Sequence, residues 1–379
     1  MFPPITCLRL AIAWAVMIAF QIGGSTWLAG PLSPIVATIC FAILFATILT
    51  ASFGVVREAD HLAHQLGEPY GTLILTLSIV SIEVILIAAV MLGPGEFPTI
   101  GRDSIYAVMM IILNLVTGLC LLLGAMRHGE QEYNAQGATT YMSMILLLTG
   151  TALVLPNAMG AGNGTFWPGQ AIAFSILTIL TYGAFLALQI GGYSRLFVQP
   201  KPGMLSVPSC RNEVSADVET SKPKEGLDRR RIVVRSLILI ASMLPIVLLS
   251  HDLAILIDYG IEMAGAPIAL SGVIIATIVF TPESITAISA ALRNEMQRAV
   301  NLCLGAFLST VGLTVPAVLV IGLMTGKTVV MGISSAETIL FALTVAATTM
   351  TFLGHRTSPI QGLMHLMLFA VFGVLLFSA

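Results

Sequence analysis

Charge is what this sequence has least of. Only 9% of its 379 residues are Asp, Glu, Lys or Arg, where a soluble domain carries about a quarter. A water-exposed globular surface cannot be built from so few charges, and no basic face is left for a nucleic-acid partner. Cysteine is scarce too: Cys7, Cys40, Cys120, Cys210 and Cys303 are an odd number, with no CxxC or CxH spacing. That excludes a zinc cluster or a disulfide framework and predicts apolar packing plus one linker thiol. No P-loop, dinucleotide fingerprint, HExxH or GxSxG triad context occurs. The stretch GAGNGT at 160–165 lacks the lysine and the preceding strand that a phosphate loop needs. An ATP-driven machine and a cofactor-dependent enzyme are therefore not expected, and neither is a resident cofactor.

What the chain does have is apolar length. Hydrophobic residues make up 57% of it and mean hydropathy is +0.96. The apolar runs are close to the ~20 residues with which a helix crosses the hydrocarbon core. Strand-like alternation is missing, so helices are the spanning element that satisfies the backbone. The predicted fold is an all-α integral membrane protein of about eleven transmembrane helices. The spans read as 8–28, 34–53, 71–92, 104–126, 138–155 and 168–190, then 232–249, 267–292, 301–324, 336–353 and 359–376. Arg9 before the first run also fits a signal peptide, but the run is long and another span follows at once.

One polar stretch, 199–231, interrupts the spans; its Pro200, Pro202, Pro208 and Pro223 and mixed charge read as a flexible linker. Four regions follow: an N-terminal helix (1–30), a five-helix block (31–198), the linker (199–231) and a second five-helix block (232–379). Five is odd, so the two blocks sit in opposite orientations, an inverted repeat with its site expected near the midplane. With an inner N-terminus, Arg9, Arg57, Arg127, Arg293, Arg298, Arg356 and the linker's basic residues all fall inside. Arg102 and Lys327 fall outside, and Asp252, Asp258 and Glu262 form an acidic outer loop. The positive-inside rule thus selects N-in, C-out. The run Arg229–Arg231 serves as a topology determinant that also meets anionic lipid.

Two acids stand alone in this apolar background. Glu83 lies in LTLSIVSIEVILIAAVML and Glu283 in TIVFTPESITAISAALRN, each in the second span of its block. Burying an ionised carboxylate at mid-span costs about 3 kcal/mol on insertion scales, so both mark a protein-lined cavity. Thr72 and Thr76 share the stripe of Glu83; Gly272, Ala276, Ala287 and Ala290 share that of Glu283. Pro282 removes a helix donor and frees the carbonyl of Ile278, as at a cation-binding helix break or a plain kink. The following spans present polar faces: Asn114, Thr117 and Gly118 in one, Asn301, Gly305, Ser309, Gly312 and Pro316 with Thr310 alongside in the other. Of these, Asn114, Ser309 and Thr310 are the candidate supporting groups. Glu337, near the start of its span, is a further supporting carboxylate. His61, His64 and Glu68 precede the third span; the histidines read as solvated and Glu68 as a vestibule acid.

The stretches GEPYGTLILTLSIVSIEVILIAA (67–89) and PESITAISAALRNEMQRAVNLCLGAFLSTVGLTVPAV (282–318) resemble the two α-repeats of calcium/proton antiporters in the cation/Ca²⁺ exchanger superfamily. With RHGEQEYNAQGA and GHRTSPIQG, the likeness extends over most of the chain and is closest to the bacterial branch of broad cation specificity. The resemblance implies one essential acid per repeat, at Glu83 and Glu283, with Asn114 and Ser309 on the following helices, in a bacterial inner membrane. Eukaryotic exchangers carry Gly-Asn shortly before each acid, where this chain has Ile79-Val80 and Val279-Phe280. Strict Ca²⁺ selectivity is therefore not implied. The expected activity is export of Ca²⁺, with Na⁺ or K⁺ as further cargo, against H⁺. Two ionised carboxylates with neutral oxygens suit a hard cation, and without one they would not both stay ionised in a water-poor interior. The alternatives are a Na⁺/Ca²⁺ exchanger of the same superfamily, a passive cation channel, and a membrane-embedded enzyme for which only His61 and His64 offer a start.

Overall fold

The computed structural model describes residues 4–28, 32–66, 70–93, 97–159, 162–200 and 229–378. Among the described residues eleven helices run in chain order: α1 Pro4–Trp27, α2 Pro34–Leu66, α3 Tyr70–Leu92, α4 Ile100–His128, α5 Ala135–Asn157 and α6 Pro168–Ile190. Then come α7 Arg229–Ala264, α8 Ala269–Ala291, α9 Met296–Thr325, α10 Ser335–Leu353 and α11 Pro359–Leu376. Ten are long and apolar enough to cross a membrane, and α3 carries a shorter apolar stretch, Thr76–Leu92. The linker positions 201–228 and Glu68 lie outside the described residues.

Local sequence explains where several helices begin. The Asn134 side chain accepts from the N–H of Gln136 and Gly137 to cap α5, and Ser334 with Glu337 forms a capping box on α10. Both α6 and α11 open on proline, whose missing N–H costs nothing there. Two residues after each proline a glutamine reaches back, Gln170 to the Trp167 N–H (3.0 Å) and Gln361 to that of Ser358 (3.2 Å). Corresponding helices of the two blocks thus start on corresponding signals.

Two isolated bridges fix how the blocks face each other: Glu132 pairs with Arg356, and Thr165 with Val330. The first joins the α4–α5 loop to the α10–α11 loop; the second joins α5–α6 to α9–α10. Since α5 separates its own two loops, the loops that follow α4 and α9 lie at opposite ends, and α4 runs antiparallel to α9. This is the predicted inverted repeat. Each of these two helices is interrupted midway by a π turn, Met110–Val116 in α4 and Thr310–Thr314 in α9. Such wide turns are frequent at functional sites.

Among the described basic residues, Arg9, Arg57, Arg127, Arg235, Arg293, Arg298 and Arg356 gather at the end where α6 enters the linker. Arg102 and Lys327 are at the far end. There Lys327 Nζ donates to the Met91 carbonyl at 2.5 Å. The acidic outer loop is a correction: Asp252, Asp258 and Glu262 belong to α7. No proline stands between Leu249 and Ala264, and the helix continues through Gly260 to Gly265, whose φ of 58° ends it. At 36 residues α7 spans about 54 Å, and it packs along the 33-residue α2. Arg235 and the buried Glu58 pair across them at 3.1 Å.

Candidate functional site

Glu83 and Glu283 sit mid-helix in α3 and α8, which pack against each other, and the two side chains are within Coulombic range. Glu83 is fully buried. Its Oε2 accepts from Thr314 Oγ1 at 3.0 Å and Thr310 Oγ1 at 3.1 Å, both on the π turn of α9. Four residues apart on one helix face, the two hydroxyls reach the same oxygen. Glu83 Oε1 and Glu283 Oε2 have no hydrogen-bond partner in the protein. Orphaned buried carboxylate oxygens are costly, and a cation or a proton is what would satisfy them.

Glu283, 9% exposed, forms part of the wall of a cavity of about 390 Å³. Thr76, Gly305, Ser309, Tyr141, Tyr182 and Gln189 also line it. Gln189 Nε2 donates to Tyr141 Oη at 2.6 Å, and the Tyr182 hydroxyl bonds Thr76. Ser309 Oγ donates to the Ala306 carbonyl at 2.7 Å, so its oxygen remains available as an acceptor. The cavity extends to Arg298, Asn301 and Phe197, so it leads to the linker end. Among the described residues no cluster of three or more His, Cys, Asp and Glu gathers anywhere. The donors around the pair are two carboxylates and neutral oxygens, which suit hard cations.

The remaining residues singled out from the sequence divide. Thr76, Ser309 and Thr310 come to the glutamates. Asn114 is fully buried in the π turn of α4 and faces α10 and α11, donating to Thr344 Oγ1 at 3.0 Å. Pro282 is buried in a helix that runs unbroken from Ala269 to Ala291, and its carbonyl accepts from Thr286. The π turns lie in α4, α5 and α9 instead. Glu337 stands at the far end, where its carboxylate accepts from the Ser334 N–H at 2.8 Å. It lines a separate pocket of about 290 Å³ with Arg102, Asp103, Tyr106 and Phe372. His61 is half-buried in α2, and the His64 side chain is outside the description. The sequence reading missed Thr314, although it follows Thr310 by one turn, and His365, a lone histidine in the last span.

Replacing both Thr310 and Thr314 with valine keeps shape and removes both donors to Glu83. The expected outcome is about tenfold weaker apparent cation affinity, read from the concentration giving half-maximal transport, with folded yield retained.

Residues 36–191 and 235–378 match the family described as "Sodium/calcium exchanger protein". The chain belongs to that family. Among its relatives, this exchanger-family chain is 33% identical over 365 residues to the sodium-potassium/proton antiporter ChaA of Escherichia coli, covering 96% of this chain and 94% of that one. It is 25% identical over 287 residues to the Ca²⁺/H⁺ antiporter ChaA of Bacillus subtilis, covering 75% and 76%. The fold matches that of native YfkE with a TM-score of 0.72 at 19% identity, over 98% of this chain and all of the other. It also matches the H⁺/Ca²⁺ exchanger CAX, with a TM-score of 0.67 at 14% identity over 97% and 88%.

Proposed function

We propose that the chain is a secondary antiporter, not an enzyme, which moves inorganic cations out of the cytoplasm in exchange for protons. The observation that carries this reading is the one-sided cavity: it leads from the linker end to Glu283, beside Glu83. Relatives named as Na⁺-K⁺/H⁺ and Ca²⁺/H⁺ antiporters support the same activity. Ca²⁺, with Na⁺ and K⁺ as further cargo, is the substrate class assigned to it.

In this mechanism Glu83 and Glu283 share either a cation or protons. With a cation bound, both carboxylates are ionised and Ser309 and main-chain oxygens complete its shell. Without one, two adjacent carboxylates in a medium of low dielectric take up protons. Exchange follows if the protein reorients only with one cargo or the other aboard. The basic residues at the linker end support N-in, C-out topology in a bacterial inner membrane, so the cavity faces the cytoplasm. The inverted repeat relates that cavity to the smaller far-end pocket between α4, α8, α10 and α11. There the Tyr106 hydroxyl donates to the Glu337 carbonyl at 3.0 Å, and its ring meets Phe372 edge-on at 5.8 Å. In this reading that pocket is the closed exit.

Reconstituted vesicles holding a pH-sensitive dye test the proposal. Ca²⁺, Na⁺ or K⁺ added alone on one side is expected to drive protons to that side; no proton movement with any of the three removes it. A passive channel would pass cations with no opposing proton flux. The family description favours one rival, exchange of Na⁺ for Ca²⁺, which Ca²⁺ flux coupled to Na⁺ at clamped pH would establish.

A further inference from the structure

The last helix is an unusual place for a buried imidazole. Most of α11 faces outward, with Ile360, Leu363, Met364 and Met367 all exposed, yet His365 is fully buried. Gly362 makes this possible: a Cβ there would meet the Gly118 carbonyl oxygen at 2.9 Å and the Leu122 nitrogen at 2.8 Å. Only glycine lets α11 come so close to α4, and that approach seats the ring on the π turn.

Each ring nitrogen has a partner. His365 Nδ1 lies 3.3 Å from Asn114 Oδ1, and Nε2 lies 3.1 Å from Thr351 Oγ1. Because the Asn114 oxygen only accepts, Nδ1 carries the hydrogen, and in the neutral ring Nε2 accepts from the Thr351 hydroxyl. The Asn114 nitrogen in turn donates to Thr344 Oγ1 at 3.0 Å and approaches Met110 Sδ at 3.3 Å. The carboxamide therefore has one orientation, fixed from α10 on one side and α11 on the other.

The corresponding helix of the first block has no imidazole at this place. Counted from the opening prolines, the position in α6 that corresponds to His365 is Phe174, which stacks on Phe166 at 5.0 Å. The π turn of α9 is held by the Glu83 carboxylate; that of α4 is held by the imidazole. The α4 turn packs against α8, the helix of Glu283.

We propose that His365 is a positioning residue for exchange: it holds the Asn114 carboxamide and the wide turn of α4 against the Glu283 helix, and so sets cation affinity. The assignment rests on the exchange reading above. Outer supports of a cation site typically alter affinity by about 10- to 100-fold when removed. In dye-loaded vesicles, His365→Phe is expected to raise the Ca²⁺ or K⁺ concentration for half-maximal proton release about tenfold and to leave the maximal rate within about twofold. His365→Gln, which restores a donor, is expected to recover most of that loss. Should the Phe variant not be recovered folded, His365→Met fills the same space without a donor and carries the comparison. An unchanged half-maximal concentration in the variant lacking a donor, or a Gln variant as impaired as it, overturns the assignment while leaving exchange itself intact. Absence of proton release from the parent protein would remove the exchange reading and this role with it.

Discussion

Glu83→Gln and Glu283→Gln are each expected to lower cation-driven proton release by about a hundredfold or more, equivalent to ~2.8 kcal/mol of lost cation binding, in protein that still folds. Glutamine keeps the size of the side chain and, at position 83, a carbonyl to which Thr310 and Thr314 can still donate. It loses the charge that holds a cation and the proton that is exchanged for it. The two substitutions should fail differently. Glu83 is enclosed and tied to α9, whereas Glu283 meets the cavity with an oxygen left unpaired. Glu283→Gln should therefore abolish cation entry from the linker side first. Unchanged exchange in both variants would sink the shared-site mechanism. A matching circular-dichroism melt for parent and variants separates loss of transport from loss of fold.

The second large effect concerns the route to that site. A Cβ at Gly305 would make only ordinary contacts with Tyr141, the nearest at 3.5 Å, and the position lines the cavity between Glu283 and its mouth. Gly305→Phe would place a ring in the path at little packing cost. Exchange measured by the dye should fall by about a hundredfold, on the scale of ~2.8 kcal/mol of binding energy, while Gly305→Ala stays near the parent rate. If Gly305→Phe transports normally, cations enter elsewhere and the cavity is not the path.

How much of this was legible beforehand follows from what each feature is made of. Isolated carboxylates in apolar runs are conspicuous because the lipid offers them no partner, so Glu83 and Glu283 could be read directly from composition. Thr314 was legible too, since it follows Thr310 by one helical turn and shares its face, but an uncharged hydroxyl in an apolar span is common and does not stand out as a carboxylate does. His365 was hidden because its partner Asn114 is 251 residues away, and the packing of α11 on α4, closest at Gly118 and Gly362, is what brings them together. Pro282 drew attention as a helix breaker, yet α8 continues through it from Ala269 to Ala291; the wide turn of α9 comes instead just before Pro316, and that of α4 has no proline within it. In Glu337 the signal was ambiguous. Ser three residues before Glu is a capping box, and the carboxylate accepts from the Ser334 N–H at the start of α10. The inverted repeat was visible in the odd helix count, while its finer trace, a proline followed two residues later by glutamine at the start of α6 and of α11, was not recognised as a repeat.

The two unpaired oxygens, Glu83 Oε1 and Glu283 Oε2, have a consequence for heat stability. Each is a debt within the folded protein that a bound cation or proton cancels and that the unfolded chain, open to water, never incurs. Cargo should therefore act as a thermal stabiliser, adding about 2.7 kcal/mol when present at a hundred times its dissociation constant. The melting temperature of the purified protein, followed against Ca²⁺, K⁺ and Na⁺ in turn, would then rank the cations without any vesicle. In a Glu83→Gln, Glu283→Gln double variant that ranking should vanish, and the melting temperature should no longer respond to cation at all.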